Sequence, residues 1–152
     1  NDYELITWQK NWSPFDWRGQ ILFSYTINPH QVVIPDLSTG EAPVAFSSQF
    51  NNRLWRFGMI RGGTPALEVD GEYLSFFHSS CKAKSELTMG ATQLHYFVGA
   101  YTFLKEPPFN IKRITPLPLI GENFYTLTEF PKRVVFPSGY LEFSSKSEKT
   151  RN

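Results

Sequence analysis

Apolar residues recur along this chain in short runs that either alternate with polar residues or are bounded by glycine, proline, asparagine and aspartate. No run keeps a helical period beyond one turn, and the alternation is typical of β-strands. The pattern predicts strands at residues 20–27, 31–37, 64–69, 72–78, 94–104, 111–115, 124–127 and 133–136. We therefore expect an all-β fold.

Two dipeptides mark the tips of predicted hairpins. Arg18-Gly19 precedes the first predicted strand. Asp70-Gly71 lies between two later predicted strands. A two-residue connection that ends in glycine is the strongest short signal for a tight β-hairpin, because both of its residues adopt a positive φ angle. We predict antiparallel strands on either side of both tips.

The two hairpins begin in a similar way. Residues 11–15 (NWSPF) correspond to residues 62–66 (GGTPA), at an offset of about 51 residues. A third and poorer copy begins at residues 136–139 (FPSG). Repeats of this length are typical of four-stranded antiparallel blades, so we expect consecutive blades of an incomplete β-propeller. Chance similarity remains an alternative, because proline and glycine are common where strands begin.

Composition supports strands joined by tight turns. Aromatic residues make up 16% of the 152 residues, and there are 11 prolines and 10 glycines. The last residues, 144–152, are polar throughout, so we predict a disordered tail there. Residues 1–143 are then expected to form a partial β-propeller of about three blades.

The charge pattern excludes several classes of partner. The formal net charge is +1 with both signs interspersed, so neither nucleic acid nor a membrane surface is an expected partner. No apolar run is long enough to cross a bilayer and no signal peptide is recognisable at the start. Cys81 is the only cysteine, which excludes an internal disulfide bond and fits a reducing compartment. We expect a soluble, cytoplasmic protein.

Lys10-Asn11-Trp12 combines a cation, an amide and an aromatic ring directly before the first repeat copy. The amide and the ammonium group can satisfy hydroxyl or anionic groups, and the ring can stack on the apolar face of a sugar. These residue types therefore suit a polyhydroxyl ligand. The alternative is a surface lysine, a turn asparagine and a core tryptophan.

Arg61-Gly62-Gly63-Thr64 is the second candidate binding stretch. Two glycines directly after an arginine allow close approach of the backbone, and their amides together with the guanidinium group can surround an anion or a hydroxyl group. The alternative is a flexible connection between two blades.

The histidines are candidates for hydrogen bonding rather than for a metal site. His30, His78 and His95 are the only histidines, and no two have the close spacing of metal ligands on one element. His78 ends a predicted strand, which would deliver it to the central face of a propeller. His30 follows the corresponding strand of the first copy and is a weaker candidate. Each is equally compatible with a structural role.

The search for catalytic and cofactor motifs is negative. Asp16, Asp36, Asp70 and Glu106 occupy turn positions, which explains these acids without a catalytic role. The chain has neither a nucleophile motif nor a phosphate-binding glycine loop. We expect no metal and no cofactor, and residue types alone leave open whether the chain is part of an enzyme.

Three stretches taken in order resemble the five-bladed propellers of glycoside hydrolase family 130 and its relatives, which are β-mannoside phosphorylases and hydrolases. They are residues 10–15 (KNWSPF), 61–66 (RGGTPA) and 71–78 (GEYLSFFH). The resemblance implies a central funnel in which Lys10, Asn11 and Arg61 face a sugar or inorganic phosphate, with His78 nearby. In such phosphorylases basic residues hold the phosphate while an acidic side chain protonates the glycosidic oxygen.

The resemblance also implies that the chain is a C-terminal fragment. The proton donor of the family belongs to an earlier blade, so we expect this chain alone to be inactive, with open edges that pair with missing blades or with a second copy. The preferred function is the C-terminal part of a carbohydrate-active propeller that contacts sugar or phosphate. The alternatives are a non-catalytic sugar-binding or scaffold module and a transferase accessory domain.

Overall fold

The computed structural model describes residues 10–51, 54–84, 89–119 and 134–142. Within these ranges the chain forms β-strands and no helix. The strands are β1 (Ser13–Trp17), β2 (Gln20–Ile27), β3 (His30–Val33), β4 (Val44–Ser48), β5 (Arg61–Gly62), β6 (Leu67–Val69), β7 (Glu72–Lys84), β8 (Thr92–Leu104) and β9 (Ile111–Ile114). The expected all-β fold is confirmed.

The strands form two antiparallel sheets. The first sheet has the order β1-β2-β3-β4, so each strand pairs with the next one along the chain. The second sheet has the order β5-β7-β8-β9, and β6 pairs with β7 as well. Because β5 and β6 pair with different parts of β7, they act as one interrupted strand along the same edge. Each sheet is therefore a meander that is four strands wide.

Both predicted hairpin tips are confirmed. Arg18 and Gly19 connect β1 to β2 with φ angles of 56° and 83°. Asp70 and Gly71 connect β6 to β7 with φ angles of 50° and 79°. Two consecutive positive φ angles define the turn whose twist matches that of a β-hairpin. Glycine at the second position adopts such an angle at little cost.

Several predicted strand bounds were wrong. The strand predicted at residues 31–37 ends at Val33, because Pro35 cannot donate a ladder hydrogen bond and the Asp36 carboxylate accepts one from the Ser38 amide at 2.8 Å, which starts a turn. The strand predicted at 64–69 begins only at Leu67.

Other differences concern missed or extended strands. The pattern did not predict β4, whose residues alternate weakly, and it ended the 72–78 strand six residues before Lys84, the end of β7. Residues 134–136 of the strand predicted at 133–136 are not in a strand. The strand predicted at 124–127 and the tail predicted at 144–152 lie outside the described residues.

The hydrophobic core lies between the two sheets and is mainly aromatic. Phe15 of the first sheet contacts three aromatic rings, two from the second sheet and one from the connection between β8 and β9. The distances between ring centroids are 5.0 Å to Tyr73, 5.2 Å to Phe103 and 5.3 Å to Phe109. Leu22 and Phe77 are fully buried in the same cluster. Burial of large apolar side chains is the main favourable term in folding, so this layer is what joins the sheets.

A buried polar network also joins the sheets. His30 is fully buried, and its Nδ1 lies 2.7 Å from the Phe109 carbonyl oxygen. That oxygen can only accept, so Nδ1 carries the proton and Nε2 accepts from the Ser24 hydroxyl at 3.0 Å. The Tyr101 hydroxyl donates to the same serine oxygen at 3.2 Å. Both ring nitrogens of His30 therefore have a hydrogen-bond partner.

No helix in the described part of the chain is long and apolar enough to cross a membrane.

Candidate functional site

Lys10, Arg61 and His78 converge at one edge of the second sheet, and we call these three residues the His78 cluster. Arg61 of β5 lies directly opposite His78 of β7 in the ladder, so both side chains share one face of the sheet. Lys10 belongs to the segment that precedes β1, yet its charge acts on the His78 ring. Residues from three separate parts of the chain are thus close enough to interact electrostatically here.

The electrostatics of the cluster keep the imidazole neutral. Burial lowers the pKa of His78, and the positive charges of Arg61 and Lys10 lower it further, while the nearby Gly62 carbonyl acts in the opposite direction. Both cations have exposed side chains. The cluster therefore presents two solvent-facing positive charges beside an uncharged ring.

The His78 ring is itself almost inaccessible and not fully hydrogen-bonded. The residue is 5% exposed, and its buried Nδ1 has no hydrogen-bond partner among the described residues. The ring lies 4.6 Å from that of Phe136 and 6.2 Å from that of Tyr96, measured between centroids. A buried polar atom without a partner carries a free-energy cost, which a ligand that supplies a hydrogen bond would remove.

The glycine pair of the second repeat copy allows close backbone packing. A Cβ atom on Gly62 would overlap the Asn11 carbonyl oxygen and lie 2.6 Å from the Ser13 hydroxyl oxygen. A Cβ atom on Gly63 would lie 2.8 Å from both the Phe76 carbonyl oxygen and the Pro137 ring. The pair thus lies between the start of β1 and Pro137. Packing alone explains both glycines, whichever ligand the site binds.

Asn11 borders the cluster through its backbone. It has a φ angle of 67°, which asparagine tolerates better than most residues. Its carbonyl oxygen lies against Gly62, and its side chain is half-buried. Asn11 is therefore beside the His78 cluster.

Thr64 lies inside the second sheet rather than at its surface. It is fully buried, and its hydroxyl oxygen accepts a hydrogen bond from the Phe76 amide at 2.9 Å. The Ser75 hydroxyl donates to the Thr64 carbonyl at 3.0 Å. These bonds connect Thr64 to β7 in the stretch of chain between β5 and β6, which forms no regular ladder with β7. The position of Thr64 is that of a structural residue.

Trp12 lies on the other side of the first sheet. Its ring packs edge-on against Phe23 at 6.0 Å and Tyr25 at 5.3 Å. Side chains alternate between faces, and Ser13 points toward the second sheet, so Trp12 points away from it. The predicted stacking residue is thus not part of the His78 cluster. His30 is also apart from the cluster, with its ring inside the network between the sheets.

Sequence reasoning missed Phe136. Its ring contacts His78, although some 58 positions separate them in sequence. The available signal was its position at the start of the predicted third copy, residues 136–139.

The described acidic residues do not form a metal site. No group of three or more His, Cys, Asp or Glu residues is close enough to hold a metal ion in the part of the chain that the structure describes. The best-buried described carboxylate, that of Glu72, contacts Lys112 and Arg113 at 2.7 Å each. Hydrogen bonds from Arg113 and Lys112 lower the pKa of Glu72 to about 2, so this carboxylate stays ionised.

Comparison of the chain with protein-family models, curated proteins and solved structures gave no match. The functional proposal therefore rests on the geometry of the cluster.

Proposed function

We propose that this chain is the C-terminal part of a carbohydrate-active β-propeller and binds a sugar, a phosphate or both at the His78 cluster. The observation that carries the proposal is the convergence of Lys10 and Arg61 on a buried histidine whose Nδ1 has no partner in the described part of the chain. Charged side chains held near a partly unsatisfied polar group are typical of ligand sites.

The sheet arrangement supports the propeller part of the proposal. Two consecutive antiparallel meanders pack face to face, each four strands wide. The start of β1 closely approaches Gly62 of β5, and Pro137 closely approaches Gly63. In a propeller, the innermost strands of neighbouring blades lie side by side around the axis, which would bring the start of each copy next to the next.

The chemistry of the cluster suits an anionic or polyhydroxyl ligand. A guanidinium group binds phosphate oxygens through two parallel hydrogen bonds, and an ammonium group supplies a compact positive charge. Lys10 and Arg61 would contact the charged or most polar part of the ligand, beside the neutral ring of His78.

A non-catalytic sugar-binding module is the second candidate function. The observation that favours it is the state of Glu72, which is ionised with a pKa of about 2 and is held by Arg113 and Lys112. An inverting glycoside phosphorylase needs a protonated carboxylic acid at the glycosidic oxygen. Glu72 is unsuited to that role.

Turnover assays on the full-length protein separate the two candidates. For an enzyme we expect release of mannose, or of mannose 1-phosphate when phosphate is present, from β-mannosides. Sugar binding without any turnover on a broad glycoside panel would favour the binding module. Absence of both sugar and phosphate binding would reject the proposal as a whole.

Alanine substitutions test the two cations. Lys10→Ala and Arg61→Ala should each weaken sugar or phosphate binding by about 1 to 3 kcal/mol, because each loses a charge-assisted hydrogen bond. Isothermal titration calorimetry measures the change in dissociation constant. Arg18→Ala is the matched control, since Arg18 pairs with Glu106 at 2.9 Å at the β1–β2 turn. Equal weakening by the control variant would argue against a specific role for the cluster.

A further inference from the structure

Phe136 is a large apolar side chain that stays partly in solvent beside the His78 cluster. It is 44% exposed, although its ring centroid lies 4.6 Å from that of His78. One face or edge of the ring is therefore available to a ligand that approaches His78. Ligand sites in proteins commonly combine an aromatic wall with a few polar groups.

Pro137 and Tyr140 hold the segment that carries Phe136 against the second sheet. Pro137 packs closely against Gly63, where an added Cβ atom would lie 2.8 Å from its ring. Further along, the Tyr140 hydroxyl accepts a hydrogen bond from the Leu67 amide at 3.1 Å and donates to the Leu74 carbonyl. The position of the Phe136 ring is thus set by contacts to the second sheet, which reduces the entropy lost on binding.

We infer that Phe136 is the stacking platform for the ring of a pyranoside whose polar substituents contact the His78 cluster. This inference rests on the proposed function, and it names the ligand class as a sugar rather than inorganic phosphate alone. The C–H groups on one face of a pyranose form an apolar surface, which packs on an aromatic ring. Trp12, which the sequence pointed to for this role, faces away from the cluster.

The polar and apolar halves of the site are matched to such a ligand. Lys10 and Arg61 can contact hydroxyl groups at the ring edge, while Phe136 covers the ring face. Inorganic phosphate has no apolar face and would bind through the cations alone. Loss of the aromatic ring should therefore discriminate between the two ligands.

Two substitutions of Phe136 in the full-length protein test the inference. Phe136→Leu keeps an apolar contact with His78 but removes the aromatic ring, and Phe136→Tyr keeps the ring. Calorimetry with methyl β-mannopyranoside should show about three- to tenfold weaker binding for Phe136→Leu. The tyrosine variant should bind as the wild type does. Binding of inorganic phosphate should be the same in all three proteins.

The outcomes separate this inference from the proposed function. Unchanged mannoside binding by Phe136→Leu overturns the stacking role and leaves the proposed function intact. Equal weakening of mannoside and phosphate binding, together with a shifted NMR titration of His78, also overturns it, because Phe136 would then act only by positioning His78. If the wild type binds neither ligand, both the inference and the proposed function fail.

Discussion

At the scale of single residues, Gly62 shows that a glycine next to the His78 cluster is explained by packing. From the sequence, we expect the Gly62-Gly63 pair to let a ligand approach the backbone. In the structure, the space of a Cβ atom at Gly62 is taken by the Asn11 carbonyl and the Ser13 hydroxyl. Gly62 is buried, so its missing side chain serves the contact between β5 and the start of β1.

Gly62→Ala should lower the free energy of unfolding by about 1 to 3 kcal/mol, because the added methyl group overlaps backbone atoms that cannot move independently. Urea denaturation measures the change. Gly139→Ala is the control, since a Cβ atom there meets none of the described atoms within 4 Å. Equal stability of the two variants would contradict the close approach at Gly62.

At the scale of elements, the pairing of β6 with β7 depends on a side chain from a distant segment. Leu67 and Leu74 are opposite each other in the ladder. The Leu67 amide donates to the Tyr140 hydroxyl at 3.1 Å, and that hydroxyl donates to the Leu74 carbonyl. The tyrosine hydroxyl therefore bridges two strands at a position where the chain has just resumed regular pairing after Pro65.

Tyr140→Phe removes both hydrogen bonds and should destabilise the protein by about 1 kcal/mol. The loss is modest because the Leu67 amide, whose bond to Tyr140 is exposed, can form a hydrogen bond with water instead. We expect faster hydrogen exchange at the Leu67 amide, measured by NMR. Tyr25→Phe is the control, because the Tyr25 ring packs against Trp12 at 5.3 Å and the change keeps that contact. Unchanged exchange at Leu67 in the Tyr140 variant would show that the bridge contributes nothing.

At the scale of the whole molecule, the two sheets are joined by a layer that contains a neutral histidine. Burial lowers the pKa of His30 to about 4, against an ordinary value of 6.5, and the Phe109 carbonyl opposes this shift. A protonated His30 could not accept the Ser24 hydrogen bond. Acid should therefore weaken the joint between the sheets.

The pH dependence has a definite sign. Between pH 6.5 and about 4 the unfolded chain binds a proton at His30 that the folded protein does not, so stability falls as the pH falls. From pH 6.5 to 4.5 the loss should be about 2 to 3 kcal/mol. The pKa of Glu72 is 4.5 in the unfolded chain and about 2 in the folded protein, so its contribution to stability is lost mainly below this pH window.

Urea denaturation of the wild type and of His30→Asn at several pH values between 6.5 and 4.5 checks this expectation. The variant should be less stable at neutral pH, because it loses a buried hydrogen bond. Its stability should depend less on pH, and the remaining dependence includes that of His78, whose pKa is also lowered by burial. Equal slopes in both proteins would contradict the assignment to His30.

Local patterns were enough to predict the strand class and both tight turns. Alternation of apolar and polar residues found β2 with its observed bounds, and the Arg18-Gly19 and Asp70-Gly71 pairs located the hairpin tips. These features depend on residues that are close together in sequence, which is why sequence suffices. The convergence of Lys10, Arg61 and His78 was also expected, but from the family resemblance rather than from the pattern.

The remaining features arise only when the sheets pack. The burial of His30, the outward direction of Trp12 and the contact between Phe136 and His78 depend on which face of each sheet meets another part of the chain. Strand β4 likewise exists through its pairing with β3, since its own alternation is weak. Such contacts join residues that are far apart in sequence, and no local period encodes them, because their free energy comes from the surface that both partners bury together.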